Sequence, residues 1–330
     1  MILSVCLKSG MAEKSLKMEK DLKKDIFLLI DGSAIVHRAY HAMPFFSKKD
    51  GTPTGAIYGF FSMLLKVMHQ LEPKKIAVAF DRPKPTFRQQ LYVGYQAQRP
   101  KMEGELSDQF KAIIDILQEA HIATYAVDGY EADDIIGTIS ERANKEGEFT
   151  YIVTGDRDML QLVDEDTKVL MPIKGISEVS IMDTGKVREK YGINPPQIVE
   201  MKALMGDASD NYPGVPGVGP KTATTLINDY KTIDGIYEHI DEIKEKNPKL
   251  AQKLIDGHDN CRISHQLAKI VTDVPLVFEF SECQVDEIDL EMFKKELMKY
   301  EFHTLPKIVD EIFDKDGTFN SDGKGQMKLI

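Results

Sequence analysis

The sequence predicts an α/β fold, a mainly parallel sheet in three layers with helices, followed by a second, all-helical domain. Three observations carry this. Short, almost wholly apolar runs recur through the first half, and segments with apolar residues at spacings of three and four separate them. From about residue 184 the texture changes to short helical segments broken by Gly and Pro. Strands that are apolar on both faces and alternate with helices imply a parallel sheet covered on both sides.

In chain order, IFLLI (26–30) reads as the first strand and is followed at once by Asp31. A helix is expected over 55–70, then a strand at IAVAF (76–80) ending in Asp81, then a helix over 107–120. The third strand, IATYAV (122–127), runs into Asp128 and GYEADD (129–134), which opens a helix over 132–145. The fourth, YIVT (151–154), precedes Gly155, Asp156 and Asp158. Sheets of this kind bind ligands beyond the carboxyl ends of their strands. The four acidic clusters are therefore expected at one edge. The domain boundary falls near 185: residues 25–185 form the α/β domain, 186–306 the helical one, and 307–330 a polar, Gly-rich flexible tail. Residues 1–24 read as a basic, disordered extension.

The chain has 330 residues and a net charge of −11, which on its face disfavours a nucleic-acid partner. The charge is uneven, however. Residues 8–24 are rich in Lys, and 81–101 carry Arg82, Lys84, Arg88, Arg99 and Lys101 against the single acid Asp81. Cys6, Cys261 and Cys283 are an odd, widely spaced set with no CxxC pair, which supports neither a disulfide framework nor a zinc site and reads as ordinary reduced thiols. No run is long enough to span a membrane, and the apolar start is too short for a secretory signal, so a cytoplasmic protein without membrane contact is expected.

Asp31, Asp81, Glu131, Asp133, Asp134, Asp156 and Asp158, brought to one edge, could not all stay ionised unaided. Any one of them reads equally well as an N-cap or turn residue, and Asp133 and Asp134 also complement a helix dipole. Four clusters together point instead to a hard divalent cation with oxygen ligands. So many carboxylates suggest two cations, which in nucleases sit ~4 Å apart about an in-line phosphoryl displacement. There is no phosphate-binding G-x-x-x-x-G-K-[ST], no G-x-S-x-G and no H-E-x-x-H. His37 and His41, four residues apart, read as packing or substrate-facing groups. In LMGDASDNYPGVPGVGPKTATTL (204–226), Asp207 and Asp210 extend the acidic set. The Gly/Pro hairpin after them lets backbone N–H groups approach a phosphate at a helix start.

The stretches LLIDGSAIVHRAYHAMP, PTGAIYGF, VAFDRPKPTFR, GYEADDIIGT, VTGDRDMLQLV, ALMGDASDNYPGVPGVGPKTA, SHQLAKIVTDVPL and KYEFHTL occur in that order between about residues 25 and 306. Together they resemble the 5′-to-3′ exonuclease domain of bacterial DNA polymerase I, within the flap-endonuclease family. The resemblance implies a PIN-like α/β catalytic domain and a helical domain whose helix-hairpin-helix grips duplex DNA, with K⁺ at the hairpin. It also implies cleavage of 5′ flaps, nicks and RNA-primed ends with two Mg²⁺, for which Mn²⁺ substitutes. The protein is then expected to be a monomer working beside a DNA polymerase, free-standing or as the front of a longer chain.

By the same resemblance Asp31, Asp81, Glu131 and Asp133 serve the first metal, and Asp156, Asp158 and Asp210 the second. Asp133 is shared between them, and Asp134 and Asp207 lie in an outer shell. Residues 82–106 become the family's arch. There Arg88 and Arg99 match phosphate contacts, and Tyr95 matches an aromatic that stacks on a displaced base, a contact worth ~1–3 kcal/mol. Arg38, Gly214, Gly217, Gly219, Lys221 and Thr222 are carried over as DNA contacts. One position departs: Gln96 stands where relatives usually have a lysine near the scissile phosphate. Gln donates a hydrogen bond but cannot offset developing charge, and each ~1.36 kcal/mol lost costs about tenfold in rate. A slower nuclease is expected, with a non-catalytic junction binder as the alternative. A PIN-type ribonuclease would share the acids but need no hairpin.

Overall fold

The computed structural model describes residues 25–43, 46–99, 104–174, 178–313 and 317–320. The expected extension 1–24, Lys101 and the end of the tail lie outside them. The described residues form a six-stranded sheet. Its strands are β1 (Ile26–Asp31), β2 (Lys75–Ala79), β3 (Ala123–Tyr125), β4 (Phe149–Val153), β5 (Thr167–Lys174) and β6 (Glu178–Met182), in spatial order β3-β2-β1-β4-β5-β6. All neighbours are parallel except β5 and β6, which form an antiparallel edge.

Period-two alternation splits the apolar run of β1 between two cores. Leu28 and Ile30 face one side, with the wholly buried Phe60, Phe61 and Leu65 of a long helix. Phe27 and Leu29 face the other, with Ile135, Ile136 and Ile139. The helices that cover the sheet are α1 (Gly32–Ala42), α2 (Gly55–Leu71), α4 (Gly104–Glu119) and α5 (Ala132–Lys145), while the short α3 (Phe87–Leu91) packs against a later helix, 258–268. From β1 the chain first winds outward through β2 and β3, then returns to pair β4 on the other flank of β1. The topological switch point thus lies between β1 and β4. The crevice at such a point is the ligand site of doubly wound sheets, and here it opens at Asp31 and Thr154.

After α6 (Thr184–Tyr191) come α7 (Ile198–Met205), α8 (Pro220–Tyr230), α9 (Ile233–Glu238), α10 (Ile240–Lys246), α11 (Pro248–Asp256) and α12 (His258–Ala268). The end of α7 and the hairpin cross at very close range. Gly206 has φ +73°, and a Cβ there would meet the Tyr212 carbonyl oxygen at 2.6 Å; one on Gly214 would meet the Gly206 nitrogen at 2.1 Å. Only glycine fits both positions.

Two expectations are corrected. β5 and β6 extend the sheet beyond the four strands read from sequence. The stretch assigned to the helical domain and flexible tail folds back: α13 (Leu290–Met298) and α14 (Leu305–Ile312) join the α/β core. Phe293 meets Phe61 at 5.4 Å between ring centres, and Leu305, Ile308, Val309 and Ile312 are buried. The tail therefore cannot begin at 307. A helix that buries one apolar stripe is held by packing, not by its local composition.

Candidate active site

Asp31 closes β1 and caps α1, accepting hydrogen bonds from the Ala34 N–H at 2.9 Å and the Thr154 hydroxyl at 2.7 Å across the switch point. Beyond β2, the Asp81 N–H donates to Ser33 Oγ, while its carboxylate accepts from the Ala132 N–H at 2.8 Å. That bond ties the end of β2 to the first turn of α5, which carries Asp133. Glu131 caps α5 and receives the Tyr95 hydroxyl at 3.1 Å, with an Arg88 ion pair at 3.2 Å. After β4, Asp156 accepts from the Asp158 N–H at 2.8 Å.

A second group lies alongside. Lys202 of α7 pairs with Asp158 at 2.6 Å and, more closely still, with Asp207. Asp210 pairs with Arg99 at 2.6 Å. Asp156 links the two groups electrostatically, since its charge acts on Asp31 and Asp133 on one side and on Asp158 and Asp210 on the other.

Crowding is visible in the titration of these groups. Burial first, then Asp81 and Asp156, push Asp31 up to about 7. Burial, with Asp134, Asp81 and Asp210 outweighing Arg88, lifts Glu131 to about 7. Asp158 also rises to about 7 through burial and Asp156, against the pull of Lys202. Asp133 is raised well above the usual carboxylate range by burial and by Asp156, Asp31, Glu131 and Asp81. Burial works against Asp207 too, but hydrogen bonds from Lys202 and Ser209 prevail and hold it at about 2.

Among the described residues no group of three or more His, Cys, Asp or Glu side chains is already arranged to hold a metal ion. The carboxylates are tied instead to Thr154, Ala132, Lys202 and Arg99. The donor chemistry still fits a hard divalent cation, because the set is all oxygen and its mutual repulsion calls for added positive charge.

A model of the 5′-3′ exonuclease N-terminal resolvase-like domain matches residues 26–192, and one of the 5′-3′ exonuclease C-terminal SAM fold matches residues 193–291. A 5′-3′ exonuclease from Aquifex aeolicus is 34% identical over 285 residues, which cover 86% of this chain and 95% of the relative. The chain belongs to the 5′-3′ exonuclease family. DNA polymerase I of Bacillus subtilis is 40% identical over 269 residues, 82% of this chain but only 30% of the polymerase. The chain thus spans about a third of the length of the DNA polymerase I relatives it matches. A solved complex of bacteriophage T5 flap endonuclease with DNA and metal ions covers 84% of this chain and all of its own, with 18% identity and a TM-score of 0.60. That likeness establishes the fold: PIN-like and resolvase-like, with a mostly parallel sheet and a helical second domain.

In this exonuclease fold segment 92–99 packs against the 207–212 loop and reaches Glu131 through Tyr95. The Gln96 N–H donates to the Asp210 carbonyl at 2.8 Å, and its side chain to the Asp210 carboxylate at 3.2 Å. Asn211 donates to the Gly94 carbonyl at 2.7 Å. The Tyr95 ring stacks on Tyr212 at 6.4 Å and 16°. His37 is exposed on α1 within the field of Asp81 and Arg99.

Three sequence assignments are corrected by this geometry, those of Arg88, Tyr95 and Gly214. Arg88 is buried, with two bonds to Asp134 at 2.7 and 2.8 Å and others to the carbonyls of Leu267 and Lys269, so no donor faces a phosphate. Asp134 is wholly buried in that pair and also accepts from the Glu131 and Val271 N–H groups, behind Glu131 rather than beside it. Tyr95 is 4% exposed and offers no free face to a base. Gly214 gives its N–H to Ser264 Oγ at 3.0 Å. By contrast Gly217, Gly219 and Lys221 are exposed, Thr222 lies half-buried in the first turn of α8, and Arg38 is half-buried on α1. Sequence reading missed Thr154, Lys202 and Tyr212. A signal for Lys202 existed, a cation one helical turn ahead of the acidic loop in MKALMGD.

Without cations the native chain binds more protons than the unfolded chain between about pH 4 and 7, because Asp31, Glu131 and Asp158 titrate near 7 against 3.8 to 4.5 ordinarily. Their contribution is full below that window and is lost as pH rises through it. Asp207 acts oppositely, but only below about pH 4. In chelator, the denaturant midpoint is expected to fall between about pH 5 and pH 8. Excess Mg²⁺ should recover stability at the upper end. A midpoint that rises over that range in chelator contradicts the crowding.

Proposed function

We propose that the chain is a structure-specific 5′-to-3′ nuclease that hydrolyses phosphodiesters at 5′ flaps, nicks and RNA-primed ends of DNA, using two divalent cations. The carrying observation is the meeting of acids from the ends of β1, β2 and β4 and the start of α5 with those of the 207–210 loop at one switch point. Asp31, Asp81, Glu131 and Asp133 would hold one Mg²⁺; Asp156, Asp158 and Asp210, with Asp207 behind them, would hold the other. When bound, such ions stabilise the attacking and leaving oxygens of an in-line displacement.

The chain's own groups prepare this. Asp81 and Ala132 lock α5 to the sheet edge, and Thr154 orients Asp31. Arg99 is half-exposed and paired only by one side to Asp210, so it can turn to a substrate phosphate. The exposed hairpin at Gly217, Gly219 and Lys221, supported by K⁺, would grip duplex phosphates. The polymerase relatives support a bacterial cytosolic setting beside a DNA polymerase; that the chain acts there as a monomer is part of the proposal.

Incubation with a labelled 5′-flap duplex in Mg²⁺, in chelator, and with Asp133→Asn tests the reading. Cleavage in chelator, or full activity in the variant, overturns it. A second reading, a weakened nuclease, rests on Gln96, whose neutral amide is turned to Asp210 at φ +53°. Gln96→Lys is expected to speed single-turnover cleavage about tenfold for each ~1.4 kcal/mol of restored transition-state stabilisation. An unchanged rate removes that reading.

A further inference from the structure

We propose that Arg157 and Lys190 form a phosphate-binding step that carries duplex DNA from the acidic crevice to the helix opened by the hairpin. The inference rests on the nuclease reading above and adds to it two cations on the seam between the sheet and the helical domain.

Arg157 stands between Asp156 and Asp158 and is exposed, yet neither acid takes its guanidinium. Asp156 accepts instead from the Asp158 N–H at 2.8 Å, and Asp158 pairs with Lys202 at 2.6 Å. Among the described residues the Arg157 side chain makes no hydrogen bond or ion pair, so its five N–H donors are kept for a ligand. The backbone that carries it is fixed. Its carbonyl accepts the Leu160 N–H at 3.1 Å and opens the 3-10 turn Asp158–Leu162, which packs on residues 195–197 and on α7. The helix α6 packs on the same 195–197 turn, and the Arg157 charge acts on Tyr191 at its end. Lys190, also exposed, lies over the Tyr191 ring, 5.5 Å from its centre, an arrangement that steadies a cation while leaving its N–H donors open.

From Tyr191 the path reaches α8. The Thr224 hydroxyl donates to the Tyr191 carbonyl at 3.5 Å, and Asn228 to the Gly192 carbonyl at 3.0 Å. Lys221, exposed beside the hairpin glycines, precedes Thr224 by three residues, ~4.5 Å along the helix. Each strand of a duplex carries a phosphate every ~3.4 Å of axis, so cations spaced in this way can meet neighbouring phosphates. A single exposed Arg or Lys is ordinarily just solvated. Arg157 and Lys190 differ because contacts join them in order from Asp158 to Lys221, the line that a duplex held at both the acids and the hairpin has to cross.

The test is single-turnover cleavage of a labelled 5′-flap duplex by the full chain in Mg²⁺, over a series of KCl concentrations. It yields the half-saturating protein concentration and the plateau rate. Arg157→Gln and Lys190→Gln should each raise the half-saturating concentration about five- to tenfold at ~0.1 M KCl and make its log–log salt slope shallower by about 0.9, and the double variant by about 1.8. The plateau rate and the melting temperature should not change. Lys307→Gln, which removes an exposed cation on α14, should move neither slope nor plateau. An unchanged slope in either single variant, whatever happens to the plateau or to melting, overturns the inference and leaves the nuclease reading standing. An equally shallow slope in Lys307→Gln reduces the effect to net charge and also overturns it. No cleavage by the wild type at any salt concentration overturns the nuclease reading, and the inference with it.

Discussion

Asp133→Asn is expected to abolish Mg²⁺-dependent flap cleavage while raising the melting temperature of the metal-free protein. The two effects have one cause. Asp133 sits in the first turn of α5 and feels Asp156, Asp31, Glu131 and Asp81 at once, and burial adds to the cost of its charge. Asparagine keeps the shape and removes that charge, so the empty crevice loses its most crowded member. The same deletion takes away a carboxylate proposed to hold the first cation. Single preorganised electrostatic groups are worth roughly 10²–10³ in rate, so a loss on the order of a thousandfold or more is expected in single-turnover cleavage. The opposite signs make the measurement decisive. A residue that served only folding would lower activity and melting temperature together, whereas a solvated surface acid would move neither.

Much of this site was legible in the sequence because it is written in local terms. Strands buried on both faces are apolar throughout, so the runs ending at Asp31, Asp81 and Asp156 stand out, and parallel topology places their ends together. β5 was not legible: TKVLMPIK mixes Lys and Pro into an apolar run, as a strand beside the sheet edge tolerates. α14 is eight residues long, and its stripe Leu305, Ile308, Val309, Ile312 acquires meaning only against the α/β core, far away in sequence. The largest misreading concerned charge. The stretch 82–101 looks uniformly basic, and composition does not separate an arginine facing solvent from one turned inward. Arg99 is half-exposed while Arg88, eleven positions earlier, is 2% exposed and joined to Asp134 across 46 residues of chain.

Arg88→Met is therefore expected to act on stability rather than on DNA affinity, costing about 3–5 kcal/mol, the usual penalty for removing one partner of a buried ion pair. The side chain binds three parts of the fold at one point: α3 at the root of the arch, Asp134 in α5, and the carbonyls of Leu267 and Lys269 at the end of α12. Its loss leaves Asp134 buried and charged, with only the Glu131 and Val271 N–H groups to accept from. Arg88→Lys should not rescue it, because an ammonium cannot make the paired bonds to one carboxylate and also reach two carbonyls. Asp134→Asn in the Arg88→Met background should be milder than the sum of the single changes, with a coupling within the 0.5–3 kcal/mol seen for contacting residues. Denaturant midpoints of the four proteins check this. Were Arg88 a phosphate contact, Arg88→Met would leave the midpoint nearly unchanged and lower the salt slope of DNA binding by about one. The pair would then be a resting contact that DNA displaces. Full burial of both charges argues the reverse: the ion pair holds the segment that follows α3 beside α5 and the end of α12, and Arg99, half-exposed, is the arginine of this stretch left for the proposed phosphate contact.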